Sequence, residues 1–444
     1  MSVRSFLALL LLSLATPALA EAPPSEPEPP PVRSKWAASL YGFVELDSIW
    51  DSSQSFNDLA GNSNIARPGT YAADHGRMTF GARNSRLGFK LAAPDFHGMH
   101  ASAIAEMDFL GNQPPNAAEA AYFASPAFRI RHMALKLETA PVVITVGQYW
   151  ELFGWQANFH PNTVEIQGVP GQVYSRAPQI RLARVFQSPV VGLEVAIAAV
   201  RPPQRDGAAP DGQGGLRLFF PFWKGLRTAG ATGTAIDALG IGVSGLVRRF
   251  NLPEFSAKPV ASVSTVGWGV SADALIPIIP VRNGRRGNTL TFTGNYVRGA
   301  GIADQFTGLT GGLTFPNLPN PTGASPAPTY SPDVDNGLVT FDSSGGLHAI
   351  GWQSILVGLQ YYLPPSGNLW VSGNFSQMSS NNAGTYGTPA TKVFTWSRWI
   401  NGNLFWDVTP AVRFGLEYAY YKQRYADGVA AHDHRVQLSG FYLF

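Results

Sequence analysis

The 444-residue chain contains no cysteine. That absence excludes a disulfide framework, a thiolate metal site and a cysteine nucleophile. Charge is scarce too: Asp, Glu, Lys and Arg make up 14% of the residues, against about 25% in an ordinary soluble domain. A water-soluble surface is therefore poorly provided for. The net charge of +3 is too slight to argue for nucleic acid or an anionic membrane surface as a partner. No segment offers the roughly 18 uninterrupted apolar residues of a membrane helix. Present in quantity are 47 Gly, 35 Pro and 12% aromatics, a composition that suits many strands separated by turns. If this chain crosses a membrane, strands must do it.

The amino terminus places the protein outside the cytoplasm. Arg4 supplies a basic n-region, Phe6 to Leu14 are apolar except for Ser13, and Ala18-Leu19-Ala20 offers a small-residue cleavage site. Residues 1–20 thus read as a secretory signal peptide. Residues 21–36, with Pro23, Pro24, Pro27, Pro29, Pro30, Pro31, Glu26 and Glu28, cannot pack a core and read as an extended periplasmic tether. Residues 37–444 are expected to form one barrel.

Alternation begins near residue 38. Successive strand side chains point to opposite faces, so Leu40, Gly42, Val44 and Leu46 oppose Tyr41, Phe43, Glu45 and Asp47. Leu87, Phe89 and Leu91 likewise oppose Arg86 and Lys90, and Phe414, Leu416 and Tyr418 oppose Arg413 and Glu417. At the carboxyl end Val436, Leu438, Tyr442 and Phe444 share one parity while Arg435, Gln437 and Ser439 share the other. A terminal Phe on such a strand resembles the closing segment by which Gram-negative outer-membrane barrels are recognised, which implies the barrel-assembly machinery as a partner through Phe444.

Sixteen such segments begin near residues 38, 83, 98, 126, 141, 177, 190, 214, 238, 260, 288, 347, 367, 392, 411 and 431. Long polar links alternate with tight ones such as Glu138-Thr139-Ala140 and Pro364-Pro365-Ser366, as in a barrel with both termini in the periplasm. Two inner links, near 223–237 and 278–287, are longer than that scheme asks. In hydrocarbon an unpaired backbone group costs several kcal/mol, so a spanning sheet must close. The expected fold class is all-β, a 16-stranded antiparallel transmembrane β-barrel with an inward-folded constriction loop. Such a barrel is too wide to be filled by its own wall side chains and encloses an aqueous lumen. Trp396, Trp406, Tyr418, Tyr420, Tyr442 and Phe444 are natural interface girdle residues.

Five ordered blocks carry a resemblance: Gly81-Ala82-Arg83-Asn84-Ser85-Arg86-Leu87-Gly88-Phe89, Glu106-Met107-Asp108-Phe109, Arg129-Ile130-Arg131-His132-Met133-Ala134, Gly147-Gln148-Tyr149-Trp150 and Arg176-Ala177-Pro178-Gln179-Ile180-Arg181. Together they resemble the DcaP-like outer-membrane porins over roughly a hundred residues. The resemblance implies a sixteen-stranded homotrimeric porin favouring small anionic solutes. Where some relatives carry a helical, coiled-coil-forming extension, this chain has its Pro-rich stretch.

The candidate pore-lining, anion-binding residues are Arg86, Lys90, Arg129, Arg131, Arg176, Arg181, Arg217 and Arg413, with Glu45, Asp47, Glu106 and Asp108 as pore-lining acids. A lipid-facing Arg near the bilayer midplane costs about 2–4 kcal/mol, so these should point inward. Guanidiniums lining a poorly screened passage can replace part of the hydration of a carboxylate or phosphate. The competing reading is that they merely neutralise the carboxylates across the wall. The two readings differ in net selectivity.

Residues 151–175, carrying Trp155, Phe159, His160 and the Gly168-Val169-Pro170-Gly171 turn, form the candidate constriction loop. The Pro-rich 299–346 link reads as an external cap. Ala101, Ala103 and Ala105 on the membrane face of the third strand are small enough for another barrel to approach. His432 and His434, with Asp433 between them, are assigned to an outer loop as a solvated strand end rather than a metal site. No phosphate loop, nucleophile elbow or zinc-protease motif occurs, so no enzyme activity, cofactor or metal is expected.

The expected function is passive diffusion of small hydrophilic, preferably anionic, solutes across the outer membrane of a Gram-negative bacterium, reached by Sec export. Outer-membrane lipid is the expected surroundings. The alternatives are a substrate-specific barrel for hydrophobic compounds and a plugged structural or adhesive barrel.

Overall fold

The computed structural model describes residues 36–111, 126–165, 168–230, 232–306, 313–318, 332–386 and 389–444. The expected signal peptide and all of the tether but residue 36 lie outside the described residues.

The strands in the first half are β1 (Ala37–Asp51), β2 (Arg77–Gly81), β3 (Arg86–Ala92), β4 (His100–Asp108), β5 (Arg129–Glu138), β6 (Val143–Trp150), β7 (Arg176–Gln187), β8 (Gly192–Val200) and β9 (Asp211–Arg227). Those in the second half are β10 (Ala235–Pro253), β11 (Ser262–Ile279), β12 (Thr289–Ala300), β13 (Val339–Phe341), β14 (Leu347–Ala349), β15 (Gly351–Tyr362), β16 (Leu369–Ser380), β17 (Phe394–Asp407), β18 (Val412–Tyr425) and β19 (Ala430–Leu443). β13 and β14 form a small separate hairpin. β2 and β3 are two halves of one stave, since both run against β1. The other strands pair with their chain neighbours, and β1 pairs with β19 from Phe43↔Leu443 to Asp51↔Arg435. The result is a closed antiparallel barrel of sixteen staves.

All sixteen expected staves are present, and fifteen of them start within four residues of the expected positions. The second starts at Arg77 rather than near 83. Its alternation is hidden because residues 82–85 leave the sheet to serve the interior. There the Glu45 amide donates to Ser85 Oγ (2.9 Å) and Asn84 Nδ2 donates to Asp47 Oδ2 (2.7 Å).

Parity decides which solvent each side chain meets. Leu40, Val44, Leu46, Trp406, Leu416, Tyr418, Leu438, Tyr442 and Phe444 are exposed on the outer face, whereas Glu45, Asp47, Glu417, Arg435, Gln437 and Ser439 are buried inside. An outer face this apolar is suited to hydrocarbon. The carboxyl terminus completes the closure: the Phe444 amide donates to Gly42 O (3.1 Å) and the Gly42 amide donates to Phe444 O (2.9 Å). A Cβ at Gly42 would lie 2.2 Å from Arg86 O, so only glycine fits there.

The paired His432 and His434 are not in a loop. They lie in β19 and face outward, while Asp433 between them is buried inside and accepts from Ser53 Oγ (2.6 Å) and the Ser53 amide (2.9 Å). Strand alternation separates the two imidazoles from the carboxylate.

The interior is occupied by chain from the ends of the staves. At the long-loop end, Phe56 and Ile65 of loop 1 (52–76), Phe153 and Val173 of loop 3 (151–175), and Ile302, Phe306, Leu338 and Phe341 of the β12–β15 link pack as one apolar cluster against Trp352, Trp399 and Tyr421 of the wall. This agrees with a cap for that last link, although Pro319, Pro321, Pro326 and Pro328 lie outside the described residues. Near the short-turn end, Val164 from loop 3 packs with Phe43, Leu226, Tyr362, Trp370, Phe405 and Phe441. Each such fully buried side chain contributes about 1.5–3 kcal/mol.

Candidate functional site

Loop 3 folds into the bore, as its apolar and turn residues predict. It leaves β6 with Phe153-Gly154-Trp155 pressed against β9–β11, where Trp155 Nε1 donates to Val243 O (3.0 Å) and the Gly154 amide to Ser244 Oγ (2.8 Å). The wall makes room with inward glycines. A Cβ at Gly242 would stand 2.6 Å from Trp155 Cδ1, one at Gly269 2.9 Å from Phe153 Cζ, and one at Gly415 2.8 Å from Val164 Cγ2. The loop then crosses to β15–β19. Asn162 O accepts from Ser372 Oγ and Asn374 Nδ2, both at 2.8 Å. Gly171 O accepts from Ser354 Oγ (2.7 Å) and Pro170 O from Ser376 Oγ (2.6 Å). Glu417 accepts from the Val164 and Glu165 amides at 3.0 Å each.

Trp155 and Phe159 are buried, and His160 is half-buried beside Gln172, whose Nε2 donates to its Nδ1 (2.9 Å). Burial, with the Arg227, Arg131, Arg86 and Arg176 guanidiniums nearby, brings the His160 imidazole down to about 3. It is neutral at physiological pH. Burial also raises Glu165, an effect that Arg435 opposes.

Across from this loop, four of the predicted arginines converge. Arg129 grips Asp108 with Nε (2.9 Å) and Nη2 (2.7 Å). Arg131 donates from Nε to Glu106 (2.7 Å), from Nη1 to Asp108 (3.1 Å) and from Nη2 to Tyr174 Oη (3.1 Å). Arg86 Nε stands 3.6 Å from Glu106, which also accepts from Tyr41 Oη (2.9 Å). Arg176 lies over the rings of Trp150 (4.9 Å) and Tyr174 (5.2 Å), and among the described residues none of its three guanidinium nitrogens has a hydrogen-bond partner. Four guanidiniums thus share two carboxylates, a local surplus of two positive charges. A β-bulge adds to the array. Glu106 pairs with His132 and Met107 with Ile130, leaving Arg131 as the extra residue, so Arg131 and His132 both turn inward. A cavity of about 170 Å³ lies between array and loop, lined by Arg86, Arg131, Arg227, Glu165, His160 and Gln172 among others, while Arg176 sits behind that lining.

The remaining predicted cations stand apart. Lys90 lies over the Tyr41 ring (4.6 Å) and Arg181 over Trp155 (5.5 Å). Arg217 is committed to Glu194 through Nε (3.0 Å) and Nη2 (2.7 Å). Arg413 binds Asp407 (2.5 Å) and the carbonyls of Gly230 and Thr232, tying down the link after β9. That link, unusually long in the sequence, reaches the same cavity through Ala229, Gly230 and Thr232.

Two anchoring arginines escaped the sequence reading. Arg248 bridges Asp211 (2.7 Å) and Asp304 (2.5 Å). Arg435 holds Asp51 (2.7 and 3.0 Å) and Asn57 O (2.6 Å), with Glu165 at 3.6 Å. Inward parity signals both positions, but not their partners on distant loops. Among the described residues no group of three or more His, Cys, Asp or Glu could hold a metal ion.

No protein-family model matches this chain, and no curated protein does. Solved structures do match. The outer membrane channel DcaP of Acinetobacter baumannii superposes with a TM-score of 0.64 at 16% identity, covering 92% of this chain and 97% of that one. The chain has the porin fold. The anion-selective porin from Comamonas acidovorans (TM-score 0.51, 11% identity, 92% and 100% covered) shares it. So does OmpT of Vibrio cholerae in its trimer form (TM-score 0.50, 10% identity, 92% and 99% covered). At these identities the common property is the barrel. The five sequence blocks resembling DcaP-like porins fall on β2–β7 and supply the four converging arginines.

Proposed function

We propose that this protein is an outer-membrane porin, a passive and non-enzymatic diffusion channel that prefers small anions. The carrying observation is the charge surplus around Arg176. Its guanidinium is buried, stacked on two aromatic rings and without a hydrogen-bond partner among the described residues. A carboxylate or phosphate entering the cavity meets the guanidiniums of Arg86, Arg131 and Arg227 on its lining, with Arg176 behind them adding positive potential from a low-dielectric wall. Glu106 and Asp108 restrain that attraction, which lets an anion leave again. The likeness to the DcaP outer membrane channel supports the channel reading, and the likeness to the anion-selective Comamonas porin supports the anion preference. Long loops then face outward, both ends of the barrel chain face the periplasm, and three copies associate as in the trimer form of OmpT.

The test is the reversal potential of the purified protein in a planar bilayer under a KCl gradient. Wild type is expected to pass chloride in preference to potassium, and Arg176→Gln to shift the reversal potential toward zero. Cation preference would overturn the anion reading. A current-free bilayer containing folded protein would overturn the channel itself in favour of a plugged barrel.

A further inference from the structure

The β15–β19 wall carries cations on both faces but carboxylates only inside, where Arg413 and Arg435 are buried beside them. Its carboxylates Asp407, Glu417 and Asp433 are buried inside, whereas Arg398, Lys422 and Arg424 face outward near the long-loop ends of their strands. Cross-strand register brings like charges face to face, with Arg398 opposite Lys422. Such pairs destabilise a sheet when nothing of opposite sign lies between them. Among the described residues no ion pair reaches any of the three cations. Instead Arg398 stacks on Trp396 (4.9 Å) and donates to Gln377 Oε1 (2.8 Å), and Arg424 lies over the same indole (5.9 Å).

The position of these cations along the strands matters. Toward the short-turn end the same face carries Ile400, Leu404, Trp406, Phe414, Leu416 and Leu438, all exposed. The cations therefore sit where acyl chains give way to headgroups. One register row continues from Arg424 through Trp396, Ser379 and Gln353 to Arg298. Four strand spacings make that row about 19 Å long. Beside it an outer groove of about 400 Å³ is lined by Trp268, Arg298, Gln353 and Ser379, among others. Cations at intervals with amide, hydroxyl and indole groups between them suit a headgroup that carries both phosphates and sugar hydroxyls.

We propose that this outward row, with Arg398 and Lys422 beside it, binds the phosphates of an anionic glycolipid in the surrounding leaflet. The proposal rests on the membrane reading above but not on ion selectivity, so the two can fail separately.

The experiment is native mass spectrometry of the detergent-solubilised protein titrated with bisphosphorylated lipid A. The triple variant R398Q/K422Q/R424Q is run beside wild type. Wild type is expected to retain the lipid, with affinity falling roughly fivefold for each charge removed. Lipid A stripped of its phosphates should bind wild type at least as weakly as the bisphosphorylated form binds the variant, which keeps Arg298. Millimolar inorganic phosphate should not displace the lipid. Arg184→Gln, an outward charge near the opposite end of β7, should leave affinity unchanged. Bilayer current and unheated gel mobility report that the triple variant is folded. If it does not fold, Lys422→Gln alone carries the test with its fivefold expectation. Equal retention by wild type and variant overturns the proposal. So does a variant that loses its oligomeric state while keeping its lipid, because the row would then be a subunit contact.

Discussion

A strand residue's parity tells which solvent it meets, but not which partner it finds. Arg86, Arg129, Arg131, Arg181, Arg217 and Arg413 all turn inward as alternation requires, yet their environments diverge. Arg131 is buried among Glu106, Asp108 and Tyr174, whereas the Arg217–Glu194 pair retains 21% and 17% side-chain exposure. Breaking a buried pair strands a charge and costs about 3–5 kcal/mol, while a partly exposed pair is worth about 1 kcal/mol or less. Urea unfolding in detergent micelles should therefore show a large drop in midpoint for Arg131→Ala and a small one for Arg217→Ala. Similar midpoints would mean that the array is hydrated and weakly coupled. The distinction was not legible in the sequence, because Tyr174 is 43 residues from Arg131 and no local spacing reports it. The same limit hid Arg435, whose partner Asp51 is 384 residues away.

Loop 3 behaves as an element because the wall was built to receive it. Its Trp, Phe and turn residues signalled inward folding, but the complementary half of the signal lay in glycines at inward parity on β9, β10, β11 and β18. Read one strand at a time, Gly215, Gly242, Gly269 and Gly415 look like weak points in strands. Their role emerges only when the loop's aromatic and aliphatic side chains occupy the missing Cβ positions. The bulge at Arg131 was hidden for a related reason: an extra residue breaks the period that reveals the strand. The cysteine-free background allows a direct test of how firmly the loop is held. Val164 Cγ2 lies 2.8 Å from where a Cβ on Gly415 would stand, close to disulfide reach. The double variant V164C/G415C should oxidise readily and keep wild-type unitary conductance, with fewer spontaneous closures than its reduced form. A conductance that changes on oxidation would mean that the conducting loop lies elsewhere.

At the scale of the whole molecule, stave number, order and closure were legible because hydrocarbon imposes a simple rule on every strand at once, and sixteen weak alternations add where any one is ambiguous. What one chain's alternation leaves open is which part of the outer face meets lipid and which meets another copy. Ala101, Ala103 and Ala105 do face outward, in register with Leu137, Leu135 and Met133 on β5, and Ala103 and Ala105 with Leu91 and Phe89 on β3. A lipid tail packs equally well on large or small residues, so three alanines in a row on an otherwise bulky face give lipid no advantage. They do let a second barrel wall approach closely, and van der Waals packing drives association where no hydrophobic difference exists. In the trimer proposed above, Ala103→Trp should therefore convert most of the detergent-solubilised protein to monomer on light scattering. The monomer should still conduct, since closure, loop 3 and the arginine array lie within one chain. An unchanged trimer would move the subunit contact to another sector of the wall, and a monomer that no longer conducts would make the assembly part of the pore.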